Sequence, residues 1–447
     1  MKTLFVVFFA VMAIFSVGMI LTMPSEAPDN KIPLVWVSDD NPDRKQQISL
    51  FNDLHPDYLL KLDPGNQGTE KVIVQSIAGV GPDLFDVYGA VNLKAFALSG
   101  VAWDITDELA KRGINVPRDT WPLAQASSVY NGRVYGVPTN LASNGIWFNK
   151  KMLDEAGVKY PSGPWNWEEF IAVAQKLTKR DKNGRPINFG FLCDWWNWTQ
   201  FVASYGGKLY NDDGTRCVLD SPEAERGVTL IRDLIYKYRV MPSPVEEAGL
   251  ATQGGWGSGN TTLFMAGRGA IAMGGRWWLT QLRKVPDLRL GATEVPFGTV
   301  RQFMGGGRST VINAGSPRRE EALEFLLYLT EPPYNELLNR QADGNSGFKK
   351  YAGPAYDNNP AFPNEDYHRV WAETLTRSIQ FPISPFINPQ EADRLIGRQL
   401  DLVRINQKAV RLALRDAARD VNAAIKKTVA SDPSLQKLWL DTTGQKP

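Results

Sequence analysis

Cysteine and histidine are scarce, with two of each in 447 residues. Two histidines and two distant cysteines do not supply the clustered nitrogen and sulfur ligands of a zinc site. His55 precedes Pro56 in a helix-ending turn, and His368 lies in a polar helical stretch. Both read as surface residues, and neither is placed to activate a serine. A Gly-x-Ser-x-Gly elbow is also missing. Cys193 and Cys217 read either as a disulfide of an exported chain or as two buried thiols. An excess of one charge is absent too. Fifty basic and 48 acidic residues leave a net charge of +2, so no basic field marks a nucleic-acid partner. Gly305-Gly306-Gly307-Arg308-Ser309 lacks the spacing and the lysine of a phosphate-binding loop. It reads as a flexible turn whose backbone can touch a ligand.

What remains is the composition of a globular protein, 43% hydrophobic and 22% charged, on a chain too long for one ordinary core. The N-terminus stands apart. After Lys2, the twenty residues from Leu4 to Met23 carry no charge. Such a segment is a secretory signal or a membrane anchor outside the fold, and its length approaches that of a spanning helix. Residues 1–27 are assigned to it. Ser25-Glu26-Ala27 offers a cleavage site, although Pro28 follows. No cysteine marks a lipid attachment. The location expected is extracytoplasmic, at the cell surface or in the periplasm, with the anchor retained if cleavage fails.

Strand and helix signals alternate along the rest. Leu34–Ser38 reads as a buried strand. Asn41 followed by Pro42 is a helix start, a capping side chain and then proline at the first helical position. That helix should run to about Leu54. A further helix carries Val72, Ile73, Gln75 and Ile77, and Asp83–Val87 is a second strand. From Trp167 to Thr178 the apolar positions Phe170, Val173, Ala174 and Leu177 fall on one face. Asn166 and Glu169 supply a capping box there. Ser316-Pro317 opens another helix, and residues from about Glu391 to Val429 look almost wholly helical. The alternation implies α/β architecture with mainly parallel sheets. With no repeat and no low-complexity linker, two lobes joined by several chain crossings fit best.

Tryptophan is abundant and clustered. Asp194-Trp195-Trp196-Asn197-Trp198 follows the apolar run Phe189–Cys193, and Gly274-Gly275-Arg276-Trp277-Trp278 follows Ala270–Met273. Large aromatics ordinarily pack in cores, but consecutive tryptophans cannot all point inward. Rings beside a carboxylate, an amide and a guanidinium suit a carbohydrate, whose CH faces stack while its hydroxyls hydrogen-bond. Ser38-Asp39-Asp40-Asn41 and Tyr88-Gly89 also lie at strand ends, where ligands bind in open α/β sheets. A glycosidase pair drawn from Asp39, Asp40 or Asp194 is the enzymatic alternative. Adjacent strand-end carboxylates more often accept hydrogen bonds or cap helices. Arg44, Arg276, Arg301 and Arg308 leave an acidic or phosphorylated sugar open.

The order of motifs resembles that of extracellular solute-binding proteins of ATP-driven sugar importers, the group that includes maltose-binding protein. Gly81-Pro82-Asp83-Leu84-Phe85, Tyr130–Pro138 (YNGRVYGVP), Trp147–Leu153 with Ala156-Gly157, Trp165–Phe170 and Gly267–Met273 with Gly275 and Trp277 carry the likeness. Asn313–Pro317 continues it. The resemblance implies a two-lobed periplasmic-binding-protein fold of type II with ligand between lobes joined by hinge strands. Residues 32–141 plus 299–345 would form one lobe, and 142–298 plus 346–447 the other. It implies no cofactor and no catalysis, a monomer, and docking on ABC permease subunits in the membrane; a sensing ectodomain would bind the same ligands. Asp40 and Asn41 fall on the family's sugar-bonding loop and Trp277 on its stacking aromatic. Counting back from Gly206-Gly207 sets Asp194 beside Trp196 as a carboxylate and aromatic pair. Tyr88, Asn144, Gly275, Arg276, Gly306 and Arg308 complete the expected ligand set. Trp195, Trp198 and Trp278 are left to packing or the cleft rim. Phe381–Phe386 resembles a late ligand loop. Around Ala90, Val91 and Asn92 the charged residues of a maltodextrin binder are replaced.

Overall fold

The computed structural model describes residues 30–65, 68–250, 259–353 and 359–446. The N-terminal segment assigned to export lies outside these residues. Among the described residues, no helix is long and apolar enough to cross a membrane.

Among the described residues, the chain builds two large sheets and one two-stranded hairpin. The first strands are β1 (Ile32–Val37), β2 (Tyr58–Asp63) and β3 (Leu84–Tyr88), followed by a small hairpin of β4 (Val129–Tyr130) and β5 (Arg133–Val134). Next come β6 (Gly136–Ser143), β7 (Gly145–Asn149), β8 (Lys179–Arg180), β9 (Pro186–Leu192), β10 (Gly269–Gly274) and β11 (Leu290–Thr293). The last are β12 (Phe303–Ile312), β13 (Asn345–Ser346) and β14 (Ser378–Ile379). The first lobe holds a seven-stranded sheet in the order β13-β6-β12-β3-β1-β2, with β14 on β12. The second holds a five-stranded sheet in the order β11-β7-β10-β9-β8.

Only Asn144 separates β6 from β7, so the chain passes from one sheet to the other across a single residue. The Asn144 N–H donates to the Met304 carbonyl at 2.8 Å, tying this crossing to the start of β12. These crossings overturn the expectation of mainly parallel sheets. Pairs β1/β2, β1/β3 and β9/β10 are parallel, but β12 runs antiparallel to β3 and β6, and β7 antiparallel to β10 and β11. A strand that passes through the hinge enters its sheet from the opposite end to strands returned by a helix, which sets its polarity.

Local signals place the helices well. Helix Pro42–Leu54 begins where expected, with the Arg44 N–H donating to Asn41 Oδ1 at 2.7 Å. Helix Trp167–Leu177 carries the reciprocal capping box of Asn166 and Glu169. The helix expected from Ser316 starts instead at Arg319, because the Ser316 hydroxyl donates to Asp83 Oδ1 at 2.5 Å. The C-terminal stretch is two helices, Pro389–Arg404 and Val410–Ser431. Between them Asn406 takes φ 58°, a left-handed conformation that asparagine tolerates. Both pack on the second lobe through Val202, Leu219, Val228, Leu400 and Val421.

Gly305–Gly307 is not a turn but part of β12. Strand alternation gives the three glycines different surroundings. A Cβ on Gly305 or Gly307 would meet Leu123 at 2.7 Å or Leu141 at 2.2 Å, whereas one on Gly306 would meet nothing within 4 Å. Cys193 and Cys217 are both buried free thiols. His55 is half-buried and stacks on Phe51, and His368 is buried at 3% exposure, so the surface reading fails for His368.

Candidate functional site

A cavity of about 490 Å³ lies between the two sheets, within the range of roughly 300–1,000 Å³ usual for clefts that enclose small molecules. Adjacent parallel strands deliver its first wall. β1 ends just before Asp39 and β3 ends on Tyr88, and the Tyr88 hydroxyl donates to Asp39 Oδ2 at 2.8 Å. Hinge strands supply Asn140, Asn144 and the Gly305–Arg308 ribbon. Asn144 Nδ2 donates to Asn197 Oδ1 at 3.0 Å, so the crossing residue is anchored to the turn that carries Trp196.

Two tryptophans face this polar edge. Trp196 sits in the short turn Trp195–Asn197 after β9 and is 60% exposed, a large value for an indole. Trp277 lies after β10 with its ring over Gly275, where a Cβ would fall 1.6 Å from the ring. The Gly275 carbonyl accepts from Trp147 Nε1 at 3.1 Å, which fixes the backbone under the ring. Trp195 and Trp198 are half-buried against the core clusters, and Trp278 is buried.

Beneath the first wall lies a buried charge cluster that sequence reasoning did not foresee. Arg308, 1% exposed, donates from Nε to Thr139 Oγ1 at 2.8 Å and from Nη2 to the Tyr334 hydroxyl at 3.2 Å. Its Nε is 3.5 Å from Asp86 Oδ2. Arg44, equally buried, bonds Gln47 and pairs with Asp343 at 3.3 Å. Both guanidiniums lie over Trp36, at 5.1 Å and 5.7 Å from its ring centre. Burial raises the Asp86 carboxyl to about 7, against the opposing pull of Arg44 and the donors Ser38 and Thr310. Burial raises Asp343 as well, and its neighbour Arg44 holds it down. Arg44 and Arg308 thus each have a carboxylate inside the protein to offset the cost of burial, while Arg44 Nε and Arg308 Nη1 are left without a hydrogen-bond partner.

Of the residues expected to bind, Tyr88, Asn144, Trp196, Trp277, Gly306 and Arg308 line the cavity. Five others do not. Asp40 turns outward to Lys45 at 2.8 Å. Asn41 spends its side chain on the helix cap. Asp194 Oδ1 accepts from Asn260 at 2.7 Å, and burial raises its carboxyl. Gly275 is the seat of Trp277 rather than part of the lining. Arg276, 1% exposed, bonds the carbonyls of Gly344 at 2.6 Å and Asn339 at 3.4 Å, with Nε on His368 Nδ1 at 3.2 Å. The lining gains Asp39, Asn140, Asp343 and Tyr210, and it includes Gln380–Ser384, which overlaps the late ligand loop expected at Phe381–Phe386. Asp39 stood one position from an expected residue. Nothing local marks Asn140, Tyr210 or Asp343.

Two α/β lobes joined by hinge strands, with a cavity at the strand ends between them, define a solute-binding protein of the periplasmic type. Residues 38–336 match the bacterial extracellular solute-binding protein family, and the chain belongs to that family. Among its relatives is an arabinooligosaccharide-binding protein of Bacillus subtilis (strain 168). It is 23% identical over 398 residues, which cover 84% of this chain and 88% of that protein. An ABC substrate-binding protein of Listeria monocytogenes, solved with cycloalternan, superposes with a TM-score of 0.75. It is 20% identical, and the match covers 89% of this chain and 99% of that one. The maltose-bound MalE3 of T. maritima superposes with a TM-score of 0.72 at 20% identity, over 88% and 99% of the two chains.

Proposed function

We propose that this protein captures an uncharged sugar, oligosaccharide or polyol between its lobes and presents it to the membrane permease of an ATP-driven importer. The observation that carries this reading is the pairing of two accessible indole faces, Trp196 and Trp277, with Asp39, Asn140 and Asn144 across one cavity. Rings take the CH face of a sugar, and amide and carboxylate groups take its hydroxyls. The arginines that left an acidic sugar open are occupied: Arg44 by Asp343, Arg308 by Asp86, Arg301 by Glu294 at 2.5 Å, and Arg276 by backbone carbonyls. That each has a partner inside the protein favours a neutral ligand over a phosphate or uronate, although Arg308 Nη1 at the cavity has no hydrogen-bond partner of its own.

The ligand-contacting set proposed is Asp39, Tyr88, Asn140, Asn144, Trp196 and Trp277, with the Gly306 backbone. The lobes proposed follow the expected division (32–141 with 299–345, and 142–298 with 346–447), shifted to residues 32–143 with 303–351 and residues 144–302 with 359–446 so that β6, β13 and the first core stay whole. The protein acts as a monomer, without catalysis, and residues 1–27 direct export and serve as an anchor where they are not cleaved. Names of relatives and neighbours that bind arabinooligosaccharide, cycloalternan and maltose support a carbohydrate ligand. Isothermal calorimetry against a panel of neutral sugars, polyols and their acidic counterparts tests the reading. Micromolar or tighter binding of a neutral member is expected; heat from none, or from the acidic members alone, would end it. Labelled oligosaccharides should show no new reducing ends.

A further inference from the structure

A second cavity, of about 220 Å³, adjoins the first and shares two lining residues with it, Asp39 and Tyr88. The 2.8 Å hydrogen bond between them makes their side chains the partition between the two chambers. Among the described residues it is the one hydrogen bond that either side chain makes. Tyr88 is 49% exposed, so its phenol can return to water when the bond opens. A single bond exchanged for one with water is a weak barrier.

Two nine-residue helices that follow strand ends, Thr69–Ile77 and Ala90–Leu98, close the chamber on its far side. Val37, Val72 and Phe96, none more than 4% exposed, give it an apolar floor. Its polar groups divide into engaged and free. The Asp86 carboxylate already accepts from Trp36 Nε1 at 3.0 Å, Ser38 Oγ at 2.5 Å and Thr310 Oγ1 at 2.8 Å. The Thr69 hydroxyl and the Asn92 carboxamide also line the chamber, and among the described residues neither makes a hydrogen bond. Asp39 is thus the available acceptor, and Thr69 and Asn92 are the available donors.

A group that fills this chamber must accept from Thr69 and Asn92, donate to Asp39, and set carbon on the floor. A hydroxyl brings no apolar surface. An alkyl group leaves the donors unpaired. A carboxylate or phosphate stands against the charge of Asp39. A secondary amide meets all three needs: its carbonyl accepts, its N–H takes the place of the Tyr88 phenol on Asp39, and the methyl of an acetyl group covers Val72 and Phe96.

Resting on the sugar-binding reading above, we propose that the chamber behind Asp39 and Tyr88 is a subsite for the acetamido group of an N-acetylated sugar whose ring lies in the main cavity. One net hydrogen bond and one buried methyl together strengthen binding by about tenfold or more.

Calorimetry on matched pairs tests this: glucose with N-acetylglucosamine, galactose with N-acetylgalactosamine, and cellobiose with diacetylchitobiose. The acetylated member of at least one pair should bind about tenfold or more tightly than its parent sugar. Thr69→Val and Asn92→Leu keep side-chain size and remove the hydrogen bonds. Each should lower the acetylated-to-parent ratio by about fivefold, and the double variant should bring it close to one. Thermal melts of the three variants show whether they fold, and both positions are only partly buried. Equal affinity within every pair overturns this inference alone, as does a gain that survives the double substitution. Absence of binding by every sugar overturns the sugar-binding reading with it.

Discussion

Gly275 illustrates how a residue without a side chain can set binding geometry. Its backbone is extended (φ −96°), so alanine is allowed there, yet the added Cβ would lie 1.6 Å from the Trp277 ring. Gly275→Ala should therefore displace the indole without straining the chain. We expect it to weaken sugar binding nearly as much as Trp277→Ala, by about tenfold or more, the effect of losing a central aromatic contact. Its thermal midpoint should stay close to that of the parent. Calorimetry and a thermal melt on the two variants check this; a Gly275→Ala protein that binds like the parent would show that the ring position is not critical. At this scale the sequence was only partly legible. The clustering of tryptophans next to strand ends pointed to Trp196 and Trp277. It could not separate Asp39 from Asp40, because the choice depends on which of two neighbours faces the cavity at the end of β1. Arg276 and His368 were misread because their partners come from segments more than 60 residues away, or from a neighbouring turn, with no local periodicity to show it.

The helix Pro332–Gln341 shows what elements do to such residues. Its C-terminal carbonyls, at the negative end of the helix dipole, are met by two guanidiniums from the segment after β10. Arg276 takes Asn339 and Gly344; Arg283 takes Arg340 at 2.9 Å and Gln341 at 3.2 Å. Between them stands Glu365, which accepts two bonds from Arg283 at 2.8 Å and 2.6 Å and one from His368 Nε2 at 2.7 Å. Since Arg276 can only donate, His368 Nδ1 accepts, and the ring proton sits on Nε2. Burial alone would raise the Glu365 carboxyl, but the hydrogen bonds from Arg283 and His368 outweigh it and bring it down to about 2. A depressed carboxyl stabilises the fold above its unfolded value near 4.5 and loses that contribution as pH falls toward 2. Glu365→Gln should thus cost about 3 kcal/mol at neutral pH. In urea titrations the gap from the parent should narrow steadily below pH 4.5. A constant gap across that range would place the stabilisation elsewhere. The elements themselves were readable where a cap marks them, as at Asn41-Pro42 and Asn166. Sheet polarity was not, because it follows from where the chain crosses the hinge rather than from the pattern within any strand.

At the scale of the whole molecule, the question is what keeps the lobes together over the cavity. Lys94 belongs to the first lobe, on the helix Ala90–Leu98 that follows β3. Its ammonium reaches the carbonyls of Ser384 at 3.2 Å and Pro385 at 3.3 Å. That loop is held to the second lobe: Ser384 Oγ donates to the Gly214 carbonyl at 2.6 Å, and Phe381, Phe386 and Ile387 sit in the C-terminal helical core. Lys94 is 7% exposed and has no carboxylate partner in ion-pair reach among the described residues, and burial lowers its ionisation range. An ammonium taken out of water is held only while both carbonyls are in place, so opening the lobes returns it to solvent. On the proposed reading, in which the lobes close over a ligand, this contact would act as a latch of small net value. Lys94→Met keeps the stem and removes the latch, shifting the equilibrium toward the open form by about 1–2 kcal/mol, a factor of roughly 5–30. Because ligand is enclosed only by the closed form, the apparent dissociation constant should rise by the same factor while contacts to the ligand stay intact. Small-angle scattering without ligand should give a larger radius of gyration for Lys94→Met than for the parent, and saturating sugar should bring the two together. An unchanged radius with unchanged affinity would mean that closure rests on the hinge and on the ligand alone.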